Sequence, residues 1–524
     1  ATREDLFPPE VLEPSKIYDQ VGDDFVVRPE FREHYRIGEL QGNIVPRMEI
    51  AEPDRLYLND GNGHFTHVPF TSGTFTDENG HLLTEEPREW TLAVRFQDMD
   101  GDGDPDIYVC NDFYSPDHIW INDGSGAFRA LPTLAMRNTS FASMGVDFSD
   151  VDRDGDLDFF LAEMLSRNHQ QRMKQIGGGM PDPPFPGRIL SRPQIARNTL
   201  YINSGDGTYQ EAAQYSGIDA SEWSWGTIWM DVDLDGYEDL LIGTGHFYDA
   251  MDKDAARRVS SVDWRQRLNV FPPLRTNNIA CRNQSNLTFE DVSDEWGFSG
   301  EEDISHGVAS ADLDNDGDQD LVCATYEGLL VSRNDGSGRF PEYTLLDFAP
   351  NAFSLAAADY DNDGHLDVLI LRGAWLGSSG QRPNSLLRNR GDGTFVDVTV
   401  EALAGGEYGP ALGVVATDVN SDGWVDSEES ENFSELVELA RNWTDGAAGG
   451  CCSFDYVPLY ALDGNSVIVQ PPEAGPVNRT NGTWGWTESA NLSGTTEGRT
   501  MRIIDLPRVG ALIEEIPLKI SLPE

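Results

Sequence analysis

Six short runs place carboxylates at alternate positions around a glycine, in the order Asp, any, Asp or Asn, any, Asp, Gly, two residues, Asp. Read at positions 1, 3, 5, 7 and 9, the first is Asp98, Asp100, Asp102, Asp104 and Asp106, and the second is Asp150, Asp152, Asp154, Asp156 and Asp158. The third is Asp231, Asp233, Asp235, Tyr237 and Asp239; the fourth is Asp312, Asp314, Asp316, Asp318 and Asp320. The fifth is Asp359, Asp361, Asp363, His365 and Asp367; the sixth is Asp418, Asn420, Asp422, Trp424 and Asp426, with Glu429 at position 12. Carboxylates at 1, 3, 5 and 9, a sharp turn at the Gly of position 6 and a backbone carbonyl at 7 make an oxygen-only cage for a hard cation. Flexible coordination by many oxygens suits Ca²⁺ better than the strict octahedron of Mg²⁺. Without a cation, carboxylates converging on one loop repel one another. A single run leaves room for a solvated turn instead, but six in register do not, and about six Ca²⁺ are expected.

The sixth run fits the full EF-hand pattern, with Glu429 as its bidentate ligand. Phe433, Leu436, Val437, Ala440 and Trp443 follow at helical spacing and give one apolar face. The residues before it, GPALGVVAT, read as a strand, so a strand, loop and helix are expected in that order. A dockerin-like docking module is the alternative, although dockerins carry two such loops.

The cages must be held by strands. Small or apolar residues precede each run (AVRF, GTIWM, GVASA), and β-type apolar residues follow most of them (IYVC, FFLA, LLIG, LVCA, VLIL). A second pattern alternates with the first: an apolar pair, Asn or Arg, a Gly-rich turn and an aromatic, as in LYLNDGNGHF, IWINDGSGAF, LYINSGDGTY, LLVSRNDGSGRF and LLRNRGDGTF, with IACRNQSNLTF a degenerate copy. Asp-Gly and Asn-Asp-Gly between β-type runs are hairpin turns, because these residues tolerate positive φ. Each unit is therefore expected to be a four-stranded antiparallel sheet. Successive loops start 52, 81, 81, 47 and 59 residues apart, which fits one propeller blade per unit with about 30 inserted residues in the two long ones. With the first hairpin, which lacks a loop before it, the count is seven; eight blades or an incomplete ring are the alternatives. The expected fold is all-β: a seven-bladed β-propeller with two face insertions, one EF-hand-like loop plus helix, and a C-terminal β-tail. The expected organisation is an N-terminal arm (1–44), the propeller (45–430), a helix and last-blade segment (431–470), and a Ser/Thr/Gly-rich linker with a terminal strand (471–524).

Composition narrows the function. The 524 residues carry 37 Lys+Arg against 90 Asp+Glu, a formal charge of −53, which excludes a nucleic-acid binder working through a basic face. No run of 18 apolar residues exists, so no membrane span is expected. The chain starts at Ala1 with no signal peptide, as expected of a processed, exported product, and an extracellular or cell-surface location is expected. Five cysteines are too few for a disulfide scaffold, and the vicinal Cys451–Cys452 pair lacks metal-finger spacing. There is no HExxH, GxSxG or P-loop, so the chain is expected not to be an enzyme.

These loops and hairpins resemble the FG-GAP/VCBS repeat family, whose integrin-type propellers bind Ca²⁺ in such loops. The stretches MGVDFSDVDRDGDLDFFLAEMLSRNHQQR, ASEWSWGTIWMDVDLDGYEDLLIGTGH and LTFEDVSDEWGF resemble bacterial proteins related to cartilage acidic protein, which often carry an ASPIC/UnbV tail. The resemblance covers residues 45–430 and implies a secreted calcium propeller without an agreed activity. Beyond residue 430 no ASPIC/UnbV segment is visible.

Residues 165–198 hold Arg167, Arg172, Lys174, Arg188, Arg192 and Arg197 against Asp182 alone, a basic island on an acidic body, and the insertion at 249–275 is mildly basic as well. Such arms either meet the acidic loops of a neighbouring molecule or lie on their own body. Asn478, Asn481 and Asn491 sit in glycosylation sequons. At the C-terminus Ile516, Leu518, Ile520 and Leu522 alternate with Pro, Lys and Ser as a half-buried strand. It either closes its own ring or is donated to a neighbour, and donation repeated head to tail gives a filament or tube. The favoured expectation is a non-enzymatic structural propeller that associates with itself. A monomeric adhesion propeller binding glycans or extracellular matrix is the alternative, and a polysaccharide-acting enzyme stands behind both.

Overall fold

The computed structural model describes residues 17–21, 24–32, 34–37, 47–51, 53–59, 65–112, 115–175, 192–259, 270–299, 303–347, 350–372, 384–402, 460–463, 466–469, 500–501 and 518–519. The sixth loop (418–429), the helix expected at 433–443, the three sequons, Arg188, Cys451 and Cys452 lie outside the described residues.

Five antiparallel sheets follow one another along the chain, each a four-stranded meander. The first is built from Thr91–Gln97, Asp106–Asn111, His118–Asn122 and Phe128–Ala130, and Phe75–Thr76 adds a parallel fifth strand at its outer edge. The second comprises Gly145–Ser149, Asp158–Ala162, Thr199–Asn203 and Tyr209–Glu211, and the third Ser224–Met230, Asp239–Thr244, Ile279–Asn283 and Phe289–Asp291. Ser305–Ala311, Asp320–Thr325, Leu329–Arg333 and Glu342–Leu346 form the fourth; Ala352–Ala358, Asp367–Arg372, Ser385–Asn389 and Phe395–Asp397 form the fifth. Ahead of them, Leu56–Asn59 and Phe65–Val68 make the expected first hairpin as a separate two-stranded sheet.

The second strand of every sheet is buried along its whole length, as its unbroken apolar run requires when both faces are covered. Side chains alternate along a strand, so each second strand serves two cores. Phe159 and Leu161 pack with Tyr108, Cys110 and Ile119 of the first sheet, whereas Phe160 and Ala162 pack with Trp229, Leu240 and Ile242 of the third. Leu321 and Cys323 likewise face the third sheet, and Val322 and Ala324 face Val368 and Ile370 of the fifth. The second, third and fourth sheets are thus each sandwiched between their neighbours in chain order.

First strands approach one another most closely near their starts. At Gly226 an added Cβ would lie 2.4 Å from the His306 carbonyl oxygen. Trp223, Trp225, His246, His306, Phe247 and Phe353 fill the space beside this approach, with His246 stacked 4.2 Å from Trp223. Burial holds His246 down at about 4, so its ring is neutral at physiological pH.

The Asp loops join first to second strands and the Gly-rich turns join third to fourth, so both lie at one end of every sheet. Both insertions leave the far end of a second strand and lie on the opposite face. The first forms the helix His169–Lys174, capped by the Asn168 side chain, and the second the helix Lys253–Val259. They meet where Gln171 donates to Asp249 at 2.6 Å. Most of the basic island is engaged within the chain. Arg167 pairs with Asp291, Arg197 grips Glu211 with two bonds of 2.9 and 2.5 Å, Arg172 donates to the Ser166 carbonyl, and buried Arg192 donates to the Leu131 carbonyl. In the second insertion Arg275 bridges Asp303 and Glu327 at 3.3 and 2.6 Å. Among the described residues, Arg167, Arg192, Arg197 and Arg275 therefore tie the insertions to their own body. The terminal strand appears as Leu518–Lys519 paired with Thr500–Met501, joined to none of the five sheets among the described residues.

The close approach at Gly226 predicts that Gly226→Ala lowers folding stability by about 1–3 kcal/mol through overpacking against backbone. A chemical-denaturation midpoint checks this; an unchanged midpoint would mean that the first strands part freely.

Candidate metal centres

Every described Asp loop is wound the same way. The position 1 carboxylate accepts from the backbone N–H groups of positions 5 and 6: Asp98 from Asp102 (3.1 Å) and Gly103 (2.9 Å), Asp231 from Asp235 (3.0 Å) and Gly236 (2.9 Å), with equivalents at Asp150, Asp312 and Asp359. The position 5 carboxylate accepts from the N–H of position 7, as Asp154 does from Asp156 at 3.0 Å. Position 6 lies in the left-handed region in all five loops, with φ between 89 and 99°, where any residue but Gly is strained.

The position 9 aspartates Asp106, Asp158, Asp239, Asp320 and Asp367 are buried at the first residue of each second strand. One oxygen accepts from the N–H of position 2 in its own loop, and the other from the N–H of an asparagine in its own hairpin. For Asp106 these are Met99 (2.8 Å) and Asn122 (2.7 Å); for Asp239 they are Val232 (3.1 Å) and Asn283 (2.8 Å). The same asparagine then reaches across to the preceding sheet. Asn203 donates its side-chain amide to the Met99 carbonyl (3.3 Å), Asn283 to Val151 (3.0 Å), Asn334 to Val232 (3.2 Å) and Asn389 to Leu313 (2.8 Å). Loop, hairpin and neighbouring loop are clasped together at each step. In the sequence these asparagines read as turn residues, and their fixed place just before every Gly-rich turn is what turn chemistry alone would give.

Carboxylate oxygens converge in all five loops. Positions 1, 3 and 9 come within 4.8 Å of one another at Asp98, Asp100 and Asp106, at Asp150, Asp152 and Asp158, at Asp231, Asp233 and Asp239, and at Asp359, Asp361 and Asp367. In the fourth loop the gathered set is Asp312, Asp314 and Asp316, positions 1, 3 and 5. The position 5 side chains Asp102, Asp154, Asp235 and Asp363 stand outside these groups and brace the turn. At position 7, His365 Nδ1 lies 2.9 Å from the Asn315 side-chain amide of the adjacent loop.

The donor set fits a hard cation. It contains only oxygen, and Asp152 Oδ1, Asp233 Oδ1 and Asp314 Oδ1 are buried with no hydrogen-bond donor in reach. A buried carboxylate oxygen without a partner is costly, and a bound cation would satisfy it. The protonation states agree: burial, with further push from the carboxylates at positions 3 and 5, raises Asp106, Asp320 and Asp367 to about 6 and Asp158 and Asp239 to about 7. Asp100 and Asp152 are raised by burial and by the neighbouring Asp102 and Asp154. When bound, the ion would neutralise positions 1, 3 and 9 together, and the chain's own N–H groups would fix their orientation.

A repeat profile described as FG-GAP-like repeat matches residues 98–161, 189–242 and 312–370, segments that contain all five loops. These segments of the chain carry FG-GAP-like repeats. The chain is also similar to cartilage acidic protein 1, 22% identical over 431 residues to the Mus musculus protein and 22% over 430 to the Homo sapiens protein, covering 71% of this chain in each case. The match spans 64% and 63% of those relatives, less than two thirds of their length. Among solved structures, an Agrocybe aegerita lectin described as recognising non-reducing terminal N-acetylglucosamine shares 16% identity over 69% of this chain and 78% of its own, with a TM-score of 0.38. A Photorhabdus luminescens Tc holotoxin pore shares 14% identity over 72% of this chain and 14% of its own, with a TM-score of 0.27.

The raised position 9 groups set a pH dependence that a cation removes. Without metal, the folded state holds protons that the unfolded state releases between about pH 4 and 7, so stability falls as pH rises through that window. With saturating Ca²⁺ the ion displaces those protons, the folded state holds no more of them than the unfolded one, and stability is nearly level over the same window. Thermal melts at stepped pH should fall with rising pH in chelator and stay nearly level in Ca²⁺; parallel slopes would remove the cation from these carboxylates.

Proposed function

We propose that this chain is an extracellular β-propeller of seven units, stiffened by about six Ca²⁺, with a structural rather than catalytic role. One observation carries the reading: five consecutive sheets present, at the same end and in the same register, an oxygen-only cluster whose buried oxygens lack a protein donor in three loops. Seven units follow from the five sheets, the hairpin at Leu56–Val68 and the unit the sequence writes around Asp418–Glu429. Ring closure is supported by the first strand of the first sheet, where Val94 and Phe96 are 37% and 56% exposed on a face that a further sheet would cover. Loops whose described copies lack a bidentate Glu suit the weaker calcium range of extracellular modules. The non-enzymatic part rests on the sequence, which carries no hydrolase, metalloprotease or phosphate-binding signature.

In this role copies join through their tails. The ladder of Thr500–Met501 with Leu518–Lys519 belongs to no larger sheet among the described residues, so its edges accept a strand from another copy. A monomeric adhesion or glycan-binding propeller is the second reading. The engagement of Arg167, Arg172, Arg192, Arg197 and Arg275 within the chain favours it, because those charges are not left to meet a neighbour's loops.

Multi-angle light scattering on the full chain, with Ca²⁺ and with chelator, separates the two. Polymers in Ca²⁺ that dissolve in chelator are expected from the structural reading. A monomer in both conditions contradicts it and leaves the adhesion reading, and turnover of acidic polysaccharides would contradict both.

A further inference from the structure

The five loops are not equivalent. The residue just before the clasp asparagine is Ile121 in the first sheet and Ile202 in the second, but Arg282, Arg333 and Arg388 in the third, fourth and fifth. Each arginine reaches the position 3 carboxylate of its own loop: Arg282 Nε lies 3.0 Å from Asp233 Oδ2, Arg333 Nη1 3.1 Å from Asp314 Oδ2, and Arg388 Nη1 3.7 Å from Asp361 Oδ2. Among the described residues no ion pair reaches the first or second loop. Arg153, inside the second loop, turns away from its own carboxylates, its guanidinium 4.9 Å over the Tyr237 ring of the third.

The arginines do not occupy the place of the cation. In the third and fourth loops the guanidinium takes Oδ2, and the buried oxygen without a donor is Oδ1, the same atom as in Asp152 of the second loop. Nor do two of them need a cation to hold them. Arg282 lies 5.0 Å over the Trp296 ring, and Arg333 also donates to the Asp392 carbonyl in the next hairpin. A fixed positive charge beside position 3 offsets carboxylate repulsion in the empty loop and opposes the entry of a second positive charge. Cation affinity in such loops follows the charge of the donor set.

Building on the calcium reading above, we propose that the loops fall into two classes. The first and second are tight sites whose order depends on the ion, and the third to fifth are weaker sites that an arginine keeps folded without it. Loss of calcium then loosens one side of the array while the other stays shut.

Hydrogen exchange with mass spectrometry on the full chain, at stepped free Ca²⁺, tests this. Residues 98–106 and 150–158 should gain protection at a free Ca²⁺ at least tenfold lower than any calcium-dependent change at 231–239, 312–320 and 359–367, and in chelator only the first two should be exposed. The triple variant Arg282→Met, Arg333→Met, Arg388→Met keeps the aliphatic stems, and in it the last three loops should also become exposed in chelator and regain protection at the low free Ca²⁺ of the first two. All five loops responding together in the unaltered chain would overturn the inference while leaving calcium binding intact, and it needs no variant to fold. No calcium-dependent protection in any loop would overturn both.

Discussion

Each second strand begins with an aspartate that folding has to bury, and the rest of the architecture is arranged around satisfying it. A buried carboxylate is costly unless hydrogen-bonded. Here the bonds come from the start of its own loop and from its own hairpin, so neither can move without exposing the other's partner. The hairpin asparagine passes the constraint on by binding the preceding loop, as Asn389 does to Leu313 and Asn283 to Val151. The apolar cores between sheets supply non-directional attraction. The clasps fix which residue meets which, and this explains why the loop end is regular while the opposite end carries the insertions.

That opposite end shows what an acidic protein does with its few basic residues. Most of the arginines of the two insertions are drawn onto nearby carboxylates and carbonyls, tying arms to body and sheet to sheet. Three more sit inside the loop end, beside position 3 carboxylates. The −53 charge is therefore unevenly compensated, and among the five described loops the first two are the ones no ion pair reaches.

Much of this was legible in the sequence because it is periodic. The alternation of Asp loops with Gly-rich hairpins predicts the strand order of all five sheets, and the unbroken apolar runs predict second strands buried on both faces. The spacing places carboxylates at 1, 3, 5 and 9 around each cage; the gathered set is 1, 3 and 9 in four loops, without the position 5 group, and 1, 3 and 5 in the fourth, without Asp320. Long-range pairing was not legible. Arg167 meets Asp291, 124 residues away, so a basic cluster in sequence gave no sign of where its charges would go. The clasp was hidden for another reason: asparagine before a Gly-rich turn is what local turn chemistry wants anyway, and its second bond to a neighbouring sheet leaves no separate mark.

A cation at the loops would link these features, because it would let three carboxylates share a space a few ångströms wide while the clasp behind them stays closed. Anomalous diffraction from crystals of the full chain grown in calcium examines this most directly. The account predicts anomalous peaks coordinated by Asp98, Asp100 and Asp106 and by Asp150, Asp152 and Asp158, with peaks in the same place in the other three loops. Density explained by water alone at all five loops would contradict it.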